Sequence, residues 1–376
     1  MKTNPFQFGG LVDDPYFIDR KEELSEIKIS LAHGQNMVIY APRRYGKTSL
    51  IKRVAREMEA NGHPVVYLDF FRVYSKLRFI ELYSQIILSK QTGGIETALK
   101  WFKSQVSGLT PTVSLNQDGE PVFGIGYLQG RPTSEDIIQI LKLPEKLYSG
   151  KQVVVIFDEF QEIAQLNGES FEKEIRSVTQ EQNNVSYVFM GSKTHMILDM
   201  FNQKERAFYQ SSKLYPLGKI PVIEIKLFIT KGFLQSELTL NDDILGLILD
   251  WTENIPYYVQ FLAAELFTWS QGSDQISEED LILVMERILN RQNDYYTELM
   301  DKISSNQKNV LRALSEQKTE ILSKSIADQY FLSSPSSTQR ALSGMMKLGV
   351  IEKQGSTYTF SDPFFKKYLV SRYYKG

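Results

Sequence analysis

Runs of consecutive apolar residues alternate with amphipathic helical patterns through the first 230 or so positions of this chain. Continuous hydrophobicity is typical of strands that are buried on both faces. Five runs predict such strands, at residues 36–41, 63–71, 151–160, 185–192 and 221–228. The segment from Lys47 to about Ala60 has helical spacing, as do other segments between the strands. The pattern therefore predicts an α/β domain built from βαβ units around a parallel sheet.

A long segment, residues 72–150, separates the second predicted strand from the third. Its centre, residues 109–128, carries two short β-type runs around Asp118–Gly119, a pair that is a strong turn signal. The pattern predicts a β-hairpin insertion in the sheet domain, over about residues 91–150. A plain surface loop is the alternative.

The chain becomes helical after about residue 229, with a predicted break between Asn254 and Pro256. The last segment has the order helix, helix, helix and then two β-runs around Gln354–Gly355. That order is typical of a winged helix. We therefore predict a helical lid domain after the sheet domain and a C-terminal winged-helix domain, with boundaries at residues 1–228, 229–300 and 301–376.

The composition excludes several classes of protein. The chain has 376 residues, no cysteine and a net charge of -2, which argues against disulfide frameworks, thiolate metal sites and a surface that is basic throughout. The histidines are too far apart for metal-ligand spacing. No apolar run is long enough for a membrane span, and the N-terminal residues do not have the pattern of a signal peptide. We therefore expect a cytoplasmic protein with no membrane partner.

The stretch "APRRYGKTSL", residues 41–50, matches the spacing of a phosphate-binding loop, with Ala41 in place of the first glycine. Gly46, Lys47 and Thr48 supply the elements that matter: a loop of backbone amides, a lysine for the phosphates and a hydroxyl for magnesium. A buried strand precedes the loop and an amphipathic helix follows it, as such a loop requires. The motif predicts that ATP or ADP binds with Mg²⁺. The candidate nucleotide-binding residues here are Arg43, Arg44, Tyr45, Gly46, Lys47, Thr48 and Ser49.

Acidic and polar residues follow two later strands. Asp158 and Glu159 come at the end of the strongest apolar run, where an aspartate would hold magnesium together with Thr48 and a glutamate would activate water. Ser192 follows the next run and is a candidate contact to the γ-phosphate or the attacking water. Helix capping is the alternative for the acidic pair and for Ser192. Lys47, Asp158, Glu159 and Ser192 are the candidate catalytic residues.

The motifs "PYFIDRKEEL", "APRRYGKTSL", "VIFDEFQEI", "FMGS" and "ENIPYYVQ", in this order and before a winged helix, resemble the archaeal-type P-loop ATPase family. That family is similar to the origin-recognition initiators of the AAA+ class and to the signal-transducing NTPases called STAND. The resemblance covers residues 15 to 370 and is weak in the insertion.

The resemblance implies further site residues. The family's opening motif matches Phe17, Arg20, Glu23 and Leu24, with Asp19 where glycine is usual. This region lies near the adenine in relatives, which makes Tyr16, Phe17 and Ile18 candidate base contacts; core packing is the alternative. The family's lid turn matches Asn254, Pro256, Tyr257 and Tyr258, and Pro256 and Tyr257 are taken as nucleotide contacts. Asparagine tolerates left-handed backbone geometry, which would preserve the turn.

Two departures from the family concern positive charge. No arginine stands beside Pro256, where many AAA+ lids carry a sensor arginine. Arg206 lies between the fourth and fifth predicted strands, where relatives place an arginine finger that acts on a neighbouring subunit. A solvated helix charge is the alternative for Arg206.

The C-terminal module has the opposite charge to the rest of the chain. Residues 301–376 contain twelve Lys and Arg against six Asp and Glu, a net charge of +6. A basic winged helix on an acidic domain is typical of a DNA contact, although such modules also bind proteins or pack internally. The predicted recognition helix is residues 336–347. The candidate DNA contacts are Ser336, Ser337, Gln339, Arg340, Lys347 and, in the wing, Lys353.

These features together predict a molecular switch that binds ATP, hydrolyses it and contacts double-stranded DNA through its winged helix. One alternative is a regulatory NTPase whose winged helix binds a protein partner. Another is a nucleotide binder with negligible turnover. Assembly into a homo-oligomer stays open.

Overall fold

The computed structural model describes residues 3–18, 20–115, 117, 121–127, 133–166, 168–316 and 318–374. Asp19 and the predicted turn at Asp118–Gly119 lie outside the described residues. Contacts divide the chain into two compact units. We call Arg20–Ala41 with Lys47–Leu217 the sheet unit, and Met1–Asp19, Pro42–Gly46 and Gly218–Gly376 the helical unit.

The sheet unit contains a five-stranded parallel sheet and a separate hairpin. Its strands are β1 (Met37–Tyr40), β2 (Val65–Asp69), β3 (Leu109–Leu115), β4 (Pro121–Tyr127), β5 (Val153–Asp158), β6 (Val185–Gly191) and β7 (Lys213–Pro216). Its helices are α1 (Lys21–Ala32), α2 (Lys47–Ala60), α3 (Lys76–Ser89), α4 (Ile95–Gln105), α5 (Ser134–Leu141), α6 (Leu143–Leu147), α7 (Gly168–Thr179) and α8 (Thr194–Asn202), with 3-10 turns at Phe70–Arg72 and Phe160–Gln165. The order β2-β5-β6-β1-β7 confirms the predicted parallel sheet.

The core of the sheet unit is built on β5 and β6, in which every residue is buried. Phenylalanines from these strands and the adjoining turns pack in edge-to-face, tilted and stacked pairs. The rings of Phe157 and Phe160 stack at 5.9 Å, and Phe160 lies 4.7 Å from Phe189. Aromatic pairs of this kind add to the stability gained from burial alone. The central strands are therefore fixed on both faces.

The predicted hairpin insertion is confirmed. Strands β3 and β4 pair antiparallel, with Leu109 opposite Tyr127 and Leu115 opposite Pro121. Leu109 and Phe123 are buried in the same apolar core as the central strands. The hairpin is thus packed onto the unit through its apolar side chains, which a plain surface loop would not be.

The fifth strand predicted at residues 221–228 is wrong, because this segment begins a helix, α9 (Val222–Leu234). Ile225, Ile229 and Phe233 are buried at a spacing of four, which is the period of a helix and not of a strand. Pro221 precedes the first turn, a position that suits its missing amide. The fifth strand of the sheet is β7, which pairs with β1.

The helical unit contains α9 and the rest of the chain. Its other elements are α10 (Asp242–Thr252), α11 (Pro256–Trp269), α12 (Glu278–Asp301), α13 (Ser305–Ser315), α14 (Lys324–Gln329), α15 (Pro335–Lys347), β8 (Ile351–Gln354), β9 (Thr357–Phe360) and α16 (Pro363–Tyr368), followed by a π-helical turn at Leu369–Tyr373. No helix within the described ranges is both long and apolar enough to cross a membrane. The sequence α13, α14, α15 and the β8–β9 hairpin confirms the predicted winged helix.

The predicted break before Pro256 is confirmed. Glu253 and Asn254 adopt φ angles of 48° and 59°, in the left-handed region that ends α10, and Pro256 opens α11. Asparagine enters this region more readily than most residues, so the turn does not need the family's glycine.

The Phe6 ring packs the N-terminal segment against α9 of the helical unit. The Phe6 side chain is buried, with its ring centre 4.8 Å from that of Phe233 and 5.8 Å from that of Phe228. Gly232 makes this packing possible, because a Cβ there would lie 2.7 Å from two carbons of the Phe6 ring. The residue at position 232 therefore has to lack a side chain.

Two glycine substitutions test this close approach. Alanine normally stabilises a helix interior relative to glycine by about 0.5–1 kcal/mol. Gly246→Ala, in α10 with open space around the added methyl, should therefore raise the melting temperature slightly. Gly232→Ala should instead lower it, by a destabilisation of about 1–3 kcal/mol from overpacking. Differential scanning calorimetry checks both, and an equal rise for the two variants would contradict the packing of Phe6.

Candidate functional site

The loop that follows β1 ends at Lys47, the first residue of α2. The Lys47 side chain is only 6% exposed, and its ammonium donates a hydrogen bond to the Ala41 carbonyl oxygen at 2.7 Å. A cation at this position faces the positive end of the α2 dipole, which is electrostatically unfavourable. An anion bound at the start of α2 would satisfy both the ammonium and the helix amides.

The backbone of the loop itself is left-handed at two positions. Arg44 has a φ of 71° and Gly46 a φ of 81°. Glycine adopts this geometry without strain, whereas arginine does so rarely. The predicted loop residues Arg43 and Arg44 are exposed, Tyr45 is buried, and Thr48 and Ser49 are half-buried in the first turn of α2.

Asp158 ends β5 with its carboxylate held by three donors. Its Oδ2 accepts from the Tyr67 hydroxyl at 2.5 Å and from the Thr48 hydroxyl at 3.4 Å. Its Oδ1 accepts from the Glu159 amide at 2.9 Å. Burial raises the pKa of Asp158, and the nearby Glu159 and Asp69 carboxylates raise it further, while the Tyr67 hydrogen bond opposes the rise. The structure thus brings the predicted pair Thr48 and Asp158 together.

The oxygen ligands at Asp158 suit a magnesium ion. Among the described residues no group of three or more His, Cys, Asp or Glu side chains is placed to hold a metal. Magnesium at a nucleotide site does not require such a group, because one or two protein oxygens are completed by phosphates and water. A hydroxyl and a carboxylate 3.4 Å apart meet that requirement. The crowding of Asp158 by other carboxylates is also what a cation would relieve.

Glu159 is joined to Ser192 across the ends of β5 and β6. The Glu159 Oε2 accepts from the Ser192 hydroxyl at 2.6 Å, from the Ser192 amide at 3.2 Å and from the Gln161 side-chain amide at 2.6 Å. Glu159 has a φ of 51°, which turns the chain sharply after the strand. Donors from three sides fix the orientation of the carboxylate.

Helix capping, the alternative role for the acidic pair and Ser192, is not seen for Glu159 or Ser192. The N-cap position of α8 is Lys193, without a side-chain hydrogen bond, and the Ser192 hydroxyl donates to Glu159 instead. Glu159 precedes the 3-10 turn at Phe160–Gln165 and makes no capping bond to it.

Sequence patterns did not single out three other residues around Asp158 and Glu159. Tyr67, in β2, donates to Asp158, and the Lys52 ammonium lies 3.1 Å from the centre of the Tyr67 ring. Burial lowers the pKa of Lys52, against the attraction of Asp158 and Asp69. Gln161 is fully buried and positions Glu159. Two features of the sequence hint at these residues. Tyr67 interrupts the apolar run of β2, and Gln161 comes two residues after Glu159.

Arg206 lies in the sheet unit and forms an ion pair with Glu172, which is almost fully buried. The Arg206 Nε–Glu172 Oε2 distance is 3.1 Å, and a second guanidinium nitrogen contacts the other carboxylate oxygen, so the pair is bidentate. The structure therefore gives Arg206 a partner within its own chain. Its assignment as an arginine finger stays a prediction.

In the helical unit the predicted base and lid contacts cluster around α11. The Gln260 side-chain amide donates to the Tyr16 carbonyl oxygen at 2.7 Å, and Ile18 is buried. The Tyr257 amide, next to Pro256, donates to the Arg44 carbonyl oxygen at 3.4 Å. Tyr16 thus contacts α11, and Tyr257 at the start of α11 contacts the loop.

The predicted DNA contacts lie on the outer face of α15 and in the wing. Ser336, Gln339, Arg340, Lys347 and Lys353 are exposed, and Ser337 is half-buried.

Some of the positive charge of the C-terminal module is neutralised within the helical unit. The Lys366 ammonium lies 2.9 Å from a Glu253 carboxylate oxygen, and Lys367 pairs with Asp250. The free positive charge of this module is thus smaller than its composition indicates.

Two kinds of relative are similar to this chain. An uncharacterized ATP-binding protein of Methanocaldococcus jannaschii is 26% identical over 266 residues, which are 66% of this chain and 70% of that protein. The Walker-type ATPase of Pyrococcus abyssi shares the fold with a TM-score of 0.66 and 17% identity, over 97% of this chain and 99% of that one. The ORC2 protein of Aeropyrum pernix, solved in ADPNP-ADP complexes, has a TM-score of 0.52 and 17% identity, over 96% of this chain and 94% of that one.

Two known families match parts of the chain. Residues 294–371 match a family described as a probable winged helix domain. Residues 17–262, more than half of the chain, match the family described as an ATPase domain predominantly from Archaea. The resemblance inferred from the motifs is confirmed, and the chain belongs to this archaeal ATPase-domain family.

Proposed function

We propose that this chain is a magnesium-dependent, ATP-hydrolysing switch whose winged helix contacts double-stranded DNA. One observation carries the ATPase part of the proposal. Thr48, Asp158, Glu159 and Ser192, at the start of α2 and the carboxyl ends of β5 and β6, form one connected set of hydrogen bonds in the sheet unit. Lys47 precedes Thr48 and bonds the Ala41 carbonyl that follows β1. Ligands of parallel α/β proteins bind at this edge of the sheet.

Each residue of the set has a proposed task. The backbone amides of residues 44–49 hold the phosphates, and the Lys47 ammonium exchanges the Ala41 carbonyl for phosphate oxygens. Thr48 and Asp158 would hold Mg²⁺, which supplies charge neutralisation on the β- and γ-phosphates. Contacts of the adenine with Tyr16, Phe17, Ile18, Pro256 and Tyr257 stay predictions of the family resemblance.

Hydrolysis requires an oriented water molecule. Glu159 accepts a hydrogen bond from that water as it attacks the γ-phosphorus, and the bond to the bridging oxygen breaks to release phosphate and leave ADP. The donors Ser192 and Gln161 hold the Glu159 carboxylate in a fixed orientation. Ser192 follows β6 directly and bonds to Glu159, so a change at the γ-phosphate would alter that bond, which makes Ser192 a candidate reporter of nucleotide state.

Turnover would be slow if no arginine reaches the phosphates. Arg206 would have to leave its bidentate bond to Glu172 to act as an arginine finger on a neighbouring copy in a homo-oligomer. The buried carboxylate of Glu172 opposes that departure, because it would lose its partner. This ion pair therefore favours a low basal rate of ATP hydrolysis. Such a rate is close to that expected of the alternative, a nucleotide binder with negligible turnover.

The winged helix is proposed to bind DNA through the exposed face of α15. Arg340, Lys347 and Lys353 supply cations for phosphates, and Ser336, Ser337 and Gln339 supply polar groups for phosphates or base edges. The internal pairing of Lys366 and Lys367 favours the second candidate, a regulatory NTPase whose winged helix binds a protein partner.

Two substitutions test the ATPase assignment. Lys47→Ala should abolish ADP and ATP binding in isothermal titration calorimetry, whereas Lys100→Ala, at an exposed lysine of α4, should bind as the wild type does. Glu159→Gln should retain binding and lose hydrolysis by about 10²–10⁴-fold, because it removes the proton acceptor. Tight binding by Lys47→Ala would rule out the proposed site.

Asp158→Asn should stabilise the protein while stopping hydrolysis. The pKa of Asp158 is raised on folding, so the folded state binds the proton more tightly, and the stability contributed by this group falls as pH rises through the unfolded and then the folded pKa. The variant should therefore melt higher than wild type without magnesium, by about 1–3 °C, and the gap should widen from pH 4 to pH 7. A lower melting temperature at pH 7 would contradict the account of Asp158 as a crowded, desolvated carboxylate.

DNA binding is tested by its dependence on salt. Affinity for a duplex, measured by fluorescence anisotropy at about 50 and 200 mM salt, should fall steeply with salt for the wild type. Arg340→Ala/Lys347→Ala should reduce the slope by about one unit for each lost phosphate contact. The charge-matched pair Lys100→Ala/Lys103→Ala on α4 should leave the slope unchanged. No duplex binding by wild type at low salt would favour a protein partner.

A further inference from the structure

Two side-chain contacts join the phosphate loop to the winged helix within the helical unit. Arg44 Nη1 donates to Asp362 Oδ2 at 3.5 Å, and the Gln354 side-chain amide donates to the Tyr45 hydroxyl at 3.0 Å. Gln354 ends the first strand of the wing, and Asp362 follows the second. Residues more than 300 positions apart in the chain therefore meet at the loop that is proposed to hold the phosphates.

The backbone of Arg44 is in a conformation that needs support. A φ of 71° at a residue with a Cβ is unfavourable and persists only where surrounding contacts enforce it. The Arg44 carbonyl accepts from the Tyr257 amide, and its guanidinium lies 4.8 Å from the Tyr257 ring centre and 4.9 Å from that of Tyr258. The guanidinium also contacts the Tyr258 hydroxyl. Asp362 supplies the anionic partner of this cluster.

Asp362 is itself held firmly by the winged helix and by α12. Its Oδ1 accepts from the Phe364 amide at 2.9 Å and from the Phe365 amide at 3.3 Å, at the start of α16. Its Oδ2 accepts from the Tyr296 hydroxyl at 3.3 Å and faces Arg44. Oδ1 is thus bonded to the start of α16, and Oδ2 faces Arg44 in the loop. The Asp362 side chain is 21% exposed and the Arg44 side chain 41% exposed, so the aspartate is the more buried partner of the pair.

Tyr45 gives the loop a second, independent attachment. Its side chain is 5% exposed, and burial raises the pKa of its hydroxyl, with the Gln354 hydrogen bond opposing the rise. The hydroxyl therefore stays neutral and accepts from Gln354. Arg44 and Tyr45 are consecutive, so Asp362 and Gln354 hold two adjacent residues of the loop.

We infer that Asp362 and Gln354 are positioning residues of the phosphate-binding loop and that nucleotide binding is coupled through them to docking of the winged helix. The inference rests on the proposed nucleotide site. The direction of the amides after Arg44 depends on the backbone of Arg44, and Asp362 and Gln354 stabilise that backbone. Coupling between two equilibria is reciprocal, so a nucleotide that requires this loop shape also strengthens the contacts of the wing.

The test measures ADP affinity by titration calorimetry in two variants and one control. Asp362→Asn retains one oxygen that can accept from the α16 amides, and it replaces the charged oxygen that faces Arg44 and Tyr296 with an uncharged amide nitrogen. Gln354→Ala removes the second attachment at an exposed position, where folding is not at risk. Each variant should weaken ADP binding by about 5–20-fold, within the usual range of coupling between sites. Asp328→Asn, at an exposed aspartate of α14 in the same module, should bind like the wild type.

A double substitution separates positioning from general packing. If Asp362 acts through Arg44, Asp362→Asn should have little further effect on ADP affinity in an Arg44→Ala background. Hydrogen exchange supplies the reciprocal readout. ADP should slow exchange of the β8 and β9 amides in wild type, and this protection should be lost in Asp362→Asn.

The outcomes distinguish the inference from the proposal on which it rests. If wild type fails to bind ADP, the proposed function is wrong. If wild type binds, Lys47→Ala does not, and both Asp362→Asn and Gln354→Ala bind as tightly as wild type, the nucleotide site stands and the positioning role is overturned. A lower melting temperature for Asp362→Asn with unchanged ADP affinity and unchanged protection of β8 and β9 also overturns it, and leaves Asp362 a packing role only.

Discussion

Burial of β5 and β6 on both faces is the constraint on which the rest of the structure depends. Every residue of these strands is buried, and Phe157 and Phe189 lock them to the surrounding rings. A shift of one residue in the pairing of β5 would move its side chains to the opposite faces of the sheet and take Asp158 away from Thr48 and Tyr67, and both changes are unfavourable. The position of the acidic pair and of Ser192 at one edge of the sheet follows from this packing. The packing of the sheet therefore determines where the residues of the proposed chemistry lie.

Hydrophobic patterning predicted the elements of the core well and those of the periphery less well. The buried strands and α2 are found where continuous or helical patterns predicted them. Residues 221–228 are rich in β-branched and aromatic side chains, yet burial of Ile225, Ile229 and Phe233 at a spacing of four makes them helical. Strand β7 escaped prediction because it has four residues, lies at the sheet edge and leaves Leu214 exposed. Short edge strands depend on their neighbours more than on their own sequence.

The residues of the candidate site also fall into two groups, those that local motifs predict and those that they do not. Lys47, Thr48, Asp158 and Glu159 could be predicted because their spacing within local motifs is fixed by chemistry. Tyr67 and Gln161 could not, because their importance arises from strand pairing and from the turn after β5. The pairing of Arg44 with Asp362 is further still from any local signal, because neither residue stands in a pattern that names the other. What the sequence alone left out are the residues that orient the reactive groups.

The helical unit is assembled from three separate stretches of chain, and this has a consequence for synthesis on the ribosome. Residues 1–19 and 42–46 emerge early, but the helices and the wing that they contact lie beyond residue 218. Arg44 and Asp362 are 318 positions apart, so at about 5–20 residues per second the loop must wait roughly 15–60 s for its partner. The nascent sheet can complete its core during that time, whereas the loop cannot reach its final shape until the last helices of the chain have been made.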